Sequence, residues 1–235
     1  MRKDEIADTF PEAARAAVLG FLDGRQEAAI NELLAAGISL NVAGQENWTL
    51  MFLAATSAMD AAIAELTKAG ANPDGIPGRA PVHAAAGLRD PATLDLLLRL
   101  GAQPDGLSGE QPALVRAAGI PNAPAIELLV AAGAAIDLAN GAGITPVIEA
   151  AAAGNWTTVL RLLELGANPW ATSIPGSTLG SFAAAGLLRA GSVQETARQK
   201  VMKDLRERGS PWPLPNTPQV RQLRDAGQWP PPGVR

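Results

Sequence analysis

The residues that could do chemistry are few. His83, in PVHAAA (81–86), is the single histidine, so one chain cannot build a two-histidine metal cluster, and HExxH is absent. With no Cys there are no disulfides, thiolate zinc sites or cysteine nucleophiles. Ser39, Ser57, Ser108, Ser173, Ser177, Ser181 and Ser192 all lack a GxSxG setting. There is neither a GxGxxG nor a Walker A loop; GLSGE (106–110) and NGAG (140–143) read as turns. Asp74 and Asp105 fall in equivalent loops one repeat apart. They are too distant to share an ion without further ligands, and solubility and Asp-Gly turn formation account for them. The expectation is a protein with no catalytic group, no metal site and no cofactor, hence not an enzyme.

The elements around these residues are built mainly from small apolar side chains. The chain has 235 residues, 47% hydrophobic and 4% aromatic, and a fifth of it is Ala. Cores of Ala and Leu suit tightly packed helices. The net charge of −4 divides unevenly: residues 1–188 hold 10 Lys and Arg against 19 Asp and Glu, and residues 189–235 hold 9 against 4. An acidic body argues against nucleic acid as a partner. Within the basic tail, Arg198, Lys200, Lys203, Arg206 and Arg208 alternate with Glu195, Asp204 and Glu207, as on a mixed solvated helix face. Two basic residues at the start are followed at once by Asp4 and Glu5, and no apolar run approaches 18 residues. Neither a signal peptide nor a membrane span is expected. The cytoplasm is the expected compartment, or the periplasm if a leader has been removed.

A phrase of the form LLxxGAxxD sets a period. It ends on the marker glycines Gly37, Gly70, Gly101, Gly133 and Gly166, spaced by 33, 31, 32 and 33 residues. A weaker sixth copy ends in RERGSPW, with Gly209 43 residues after Gly166. Between the glycines lies a second phrase: WTLMFLAA (48–55), RAPVHAAA (79–86), QPALVRAA (111–118), ITPVIEAA (144–151) and STLGSFAA (177–184). Each unit reads as turn, Ala-rich helix, turn, Leu-rich helix and extended loop. Thr49 and Thr145 are expected to cap first helices. Leu33, Leu66, Leu97, Leu128 and Leu162 are expected to fill the space between helices, and the marker glycines to supply left-handed C-caps. No unit can bury its apolar stripe alone, so the units must stack.

This pattern resembles the ankyrin repeat. The family signature is most complete at 143–168, GITPVIEAAAAGNWTTVLRLLELGAN. The copy from Gly78 keeps Pro81, His83, Ala84–Ala86, Leu96–Leu98, Gly101 and Ala102 but has Ala80 where Thr is expected; the Trp48 copy has Leu50, Met51 and Phe52 for Pro-Leu-His. The copy at 111–118 has drifted by one residue in its turn. The resemblance implies an all-α solenoid of about six stacked helix-turn-helix units over residues 1–210. The first unit, about 10–41, is degenerate, with helices AARAAVLGF and QEAAINELLAAG. The last carries an insertion near 186–196 and a long second helix, QETARQKVMKDLRERG. Residues 211–235, rich in Pro and Trp, read as a closing strap in which Trp212 and Trp229 pack over the last helix pair, or else as a disordered tail. The resemblance implies a structural role for His83 in holding its turn.

In this family the loop tips and first helices form a surface for another protein. The candidate contacts are Glu46, Trp48, Phe52, Asp74, Arg79, Arg89, Asp105, Glu110, Arg116, Trp156 and Trp170. Tryptophan is a frequent interface hot spot: Trp48 stands at a tip position that the repeat leaves open, Trp156 at the start of a second helix and Trp170 at the opening of a finger, with packing against the adjacent loop as the competing role for each. A mildly acidic rim would steer in a partner with a basic patch. The resemblance implies a non-catalytic binder, monomeric when free. Its most concrete form is a bacterial immunity protein that neutralises a secreted toxin, and its rival is a scaffold or regulator of an enzyme.

Overall fold

A computed structural model describes residues 2–106, 111–121, 123–185, 188–211 and 214–230. The chain divides into two compact units, Met1–Ala113 and Leu114–Arg235. The first holds α1 (Lys3–Ala7), α2 (Glu12–Leu22), α3 (Gln26–Ala35), α4 (Leu50–Thr56), α5 (Asp60–Lys68), α6 (Pro81–Ala86) and α7 (Ala92–Arg99). After α8 (Ala113–Ala118), the second holds α9 (Ala123–Ala131), α10 (Pro146–Ala152), α11 (Trp156–Glu164), α12 (Leu179–Ala185), α13 (Val193–Glu207) and α14 (Thr217–Asp225). Two antiparallel bridges, Ile76 with Arg79 and Thr172 with Thr178, pinch two of the loops into fingers.

Each repeat is a helix pair: α2 packs on α3, α4 on α5, α6 on α7, α10 on α11 and α12 on α13. Like helices then stack in layers. In the first unit α4 lies against α6, and α5 lies between α3 and α7; in the second, α10 lies against α12 and α11 against α13. The paired alanines make this approach possible: Ala54, Ala55, Ala85, Ala86, Ala117, Ala118, Ala150 and Ala151 are all buried.

The end of each second helix explains the period. Gly37, Gly70, Gly101, Gly133 and Gly166 all have positive φ. The amide after each glycine donates back to the carbonyl five residues earlier: Ile38 to Leu33, Ala71 to Leu66, Ala102 to Leu97, Ala134 to Leu129 and Ala167 to Leu162, at 2.9–3.0 Å. This is the Schellman closure. Gly209 repeats it, with Ser210 donating to Leu205 at 2.9 Å, so the sixth copy is built like the others. Every leucine in that series is buried. The fourth of them is Leu129, not Leu128: Leu129 is fully buried and Leu128 only half-buried. The expectation for Leu128 was one residue out, because the inter-helix slot is the fourth residue before the marker glycine.

A polar ladder runs through the loops. Four residues after a marker glycine a side-chain oxygen accepts from a backbone amide of the next repeat: Asn41 from Asn72 (2.8 Å), Asp74 from Gln103 (2.6 Å) and Asp137 from Asn168 (2.9 Å). Each donor stands two residues after its own marker glycine. Between the Gly166 and Gly209 copies the corresponding positions are Trp170 and Pro211, which supply neither a carboxylate nor an amide proton.

The two expected threonine caps differ. Thr49 Oγ1 accepts from Phe52 N at 3.1 Å. Thr145 stands at the N-cap of α10 but makes no side-chain cap bond, and its buried hydroxyl has no partner among the described residues. Ile148 fills the slot three residues on, where the Gly78 copy has His83. That copy in turn has Ala80 in place of the threonine; in the 177–184 copy both slots are polar, and Thr178 Oγ1 accepts from Ser181 N at 3.1 Å while Ser181 Oγ accepts from Thr178 N at 3.0 Å.

Candidate functional site

The sequence candidates converge at one finger tip of the first unit. Glu46 and Asn47 both sit in the left-handed region, at φ 57° and 62°, which is uncommon for a side chain such as Glu. Backbone in that region persists where its surroundings hold it, and here the next finger does so. Asn47 Nδ2 donates to Pro77 O at 3.0 Å. Arg79 Nε donates to Glu46 O at 3.0 Å, and its Nη2 to Glu46 Oε2 at 3.1 Å.

The same guanidinium lies over two aromatic faces. Arg79 Cζ is 5.8 Å from the Trp48 ring centroid and 5.4 Å from that of Phe52. The two rings are 6.3 Å apart and tilted at 56°. Phe52 is buried beneath them as a floor, while Trp48 and Arg79 are half-buried. Trp48 Nε1 is buried with no acceptor among the described residues. The tip is therefore an aromatic pair held by a positioned cation, with Glu46 neutralising that cation.

The other candidates lie elsewhere. Asp74 is half-buried and holds Gln103 through the amide (2.6 Å) and Nε2 (3.3 Å), so it ties one finger to the next. Asp105 is half-buried; Arg89 and Arg116 are exposed, with Arg116 on α8. Glu110 lies outside the described residues. Trp156 corrects its assignment to a binding surface: only 2% of it is exposed, at the start of α11, where its ring is packed into the core. His83 is half-buried on the first turn of α6.

Trp170 is at a tip of the second unit, but covered. Trp229 stands edge-on to it, with centroids 6.4 Å apart at 77°, and Trp229 Nε1 donates to Trp170 O at 2.9 Å. Trp229 packs on the finger and lines one small cleft with Gly180 of α12 and Leu205 of α13, the helix pair over which the sequence places it. Trp212 lies outside the described residues. Arg224 of α14, which the sequence reading passed over, donates to Ser173 O at 2.9 Å and Ile174 O at 2.8 Å. Asn47 was also passed over; a turn residue tolerant of the left-handed region beside a tip tryptophan is the signal that points to it.

Ion pairs brace the second unit behind this tip. Arg161 on α11 grips both carboxylate oxygens of Glu127 on α9, and these bonds lower the Glu127 pKa. On α13, Glu195 accepts from Arg198 and Gln199, which hold its carboxyl down to about 2. Arg198 also donates to Ala183 O, tying α13 to α12. Among the described residues no group of three or more His, Asp and Glu is arranged to hold a metal ion, and no helix is long and apolar enough to cross a membrane.

No protein-family model and no curated protein matches the chain. Among solved structures, the ankyrin repeat domain of Bcl-3, described as a unique member of the IkappaB protein family, is similar at 22% sequence identity with a TM-score of 0.66. The match covers 88% of this chain and 96% of that one. With helix pairs stacked in two layers, glycine-closed second helices and fingers tied by a side-chain ladder, the chain has the ankyrin-repeat fold.

Proposed function

We propose that the chain is a non-catalytic protein-binding module and that the Glu46–Trp48–Phe52–Arg79 tip is its principal contact. The observation that carries this reading is the tip itself. A half-buried tryptophan, pre-positioned by a stacked guanidinium and floored by Phe52, is the kind of rigid aromatic and arginine anchor around which interface energy concentrates. The excess of acid over residues 1–188 suits a partner with a basic face, through faster encounter more than through final affinity.

The finer form of this proposal is an immunity protein that neutralises a secreted bacterial toxin by covering its active site or substrate channel. It rests on the acidic charge and on the tip. The test is affinity capture from the native cell with wild-type chain and with Trp48→Ala/Arg79→Ala, followed by identification of the bound protein. Loss of the same partner from the double variant, which stays folded with a melting temperature only a few degrees lower, is the expected result. A partner that kills when expressed alone and is silenced by co-expression fits immunity. A housekeeping enzyme whose rate changes on binding replaces it with the regulator reading. Equal retention by both chains removes the tip from the site.

A further inference from the structure

The last finger of the second unit presents backbone acceptors that the chain fills from its own C-terminal segment. In the preceding repeat Ile174 N donates to Ala142 O at 2.9 Å, one finger serving the next. At the last finger this service comes from 214–230. Trp229 satisfies the carbonyl of Trp170, and Arg224 those of Ser173 and Ile174.

The surface is shaped for close approach. Gly176 has φ 96°, and a Cβ built there would stand 2.7 Å from Thr217 O and 3.0 Å from Arg221 Cβ. A Cβ on Gly180, at the start of α12, would meet Leu214 at 3.3 Å. Two small residues thus leave a bed into which a helix and its leading loop settle. The occupant is well made in itself: Asn216 accepts from Gln219 N at 3.0 Å, and Gln219 Oε1 accepts from Asn216 N at 2.9 Å, forming a capping box.

Its hold on the bed is nevertheless light. Of the nine residues of α14 only Val220 is buried, and Leu214 adds one further apolar anchor. The remaining links are the edge-on contact of Trp229 with Trp170 and side-chain bonds to carbonyls, made by the half-buried Arg224 and Trp229. An element with so few buried contacts opens well below the cost of global unfolding. The tether keeps its local concentration high enough to hold it in place without a strong interface.

We propose that the last finger and α12 form a binding surface for a short capped helix carrying arginine and tryptophan, and that α14 with its flanks is its tethered, exchangeable occupant. A partner presenting a helix of this chemistry engages the surface only by displacing 214–230. This inference stands apart from the Trp48 tip: either one can fail without the other.

The experiment uses a fluorescent peptide spanning 214–230 and the full chain in three forms. Wild type has the bed filled. Val220→Asp/Arg224→Ala weakens the occupant and leaves the bed intact. Gly176→Val spoils the bed. The expected result is peptide binding by the double variant at least about tenfold tighter than by wild type, with none by Gly176→Val. Binding to no form, or equally to wild type and the double variant, overturns the proposal. If the double variant does not fold, hydrogen exchange on wild type decides. Amides of α14 should exchange at least about a hundredfold faster than those of α11; exchange at the same rate shows a permanent part of the fold and ends the proposal.

Discussion

Two tryptophans mark two finger tips, and their surroundings differ in kind. Trp48 in the first unit is held from the side by Arg79, 5.8 Å from its ring, and Arg79 is in turn neutralised by Glu46. Trp170 in the second unit is covered by another indole, Trp229, delivered by the C-terminal segment. Both have an indole nitrogen that is buried without an acceptor among the described residues. The difference lies in who supplies the neighbour. At Trp48 an adjacent repeat braces the ring and leaves it reachable; at Trp170 the chain itself takes the place of a visitor. A tryptophan at a loop tip is thus poorly described by exposure alone.

The largest effect separates the tips from the scaffold. Trp156→Ala removes a ring that is 2% exposed and is expected to cost about 3–5 kcal/mol in denaturant unfolding. If Trp48→Ala costs as much, the tip is core and the contrast collapses. Next, Leu129→Ala should cost about 2–5 kcal/mol and Leu128→Ala about 1, measured in the same way. Equal costs would mean that the glycine-based phasing is wrong. Smaller still, Arg79→Ala is expected to lower stability by about 1 kcal/mol, with a shift in Trp48 emission and none attributable to Trp170.

Acid should loosen the second unit's brace. The Glu195 carboxyl is depressed to about 2 from the ordinary 4.5 by its bonds to Arg198 and Gln199. A depressed carboxyl contributes stability that is fully present above the ordinary value and lost as pH falls toward about 2. Unfolding followed from pH 6 to pH 2 should therefore show a falling stability that Glu195→Gln flattens. The smallest effects have opposite signs. Thr49→Val removes a working cap and should cost about 1 kcal/mol, whereas Thr145→Val removes an unpartnered buried hydroxyl and should be neutral or stabilising by up to about 1.

The repeat was legible because its markers are backbone requirements. Only glycine closes each second helix cheaply at positive φ, so Gly37 through Gly166 declare the period. The paired alanines declare the helix contact in the same way. Leu128 is misplaced because the apolar run Leu128 to Val130 hides the phase locally; counting four residues back from Gly133, as in the other copies, gives Leu129, whose carbonyl closes the Schellman bond. The tip was half legible. Trp48, Arg79, Glu46 and Phe52 were each visible as residue types, but the sequence does not say that one guanidinium spans the other three. Trp156 looked like Trp48 because both follow a turn, and only the layer it faces tells them apart. Asp74 read as a rim charge because its bond to Gln103 lies 29 residues away.

The replacement of acid by Trp170 and of an amide by Pro211 bears on how such a protein could lengthen over generations. Tandem duplication extends an array by copying a module whose two edges interlock. Here the junction between the Gly166 and Gly209 copies lacks socket and plug together. A copied module inserted at that junction would find neither half of the interlock, so new modules are expected to register between Gly37 and Gly166.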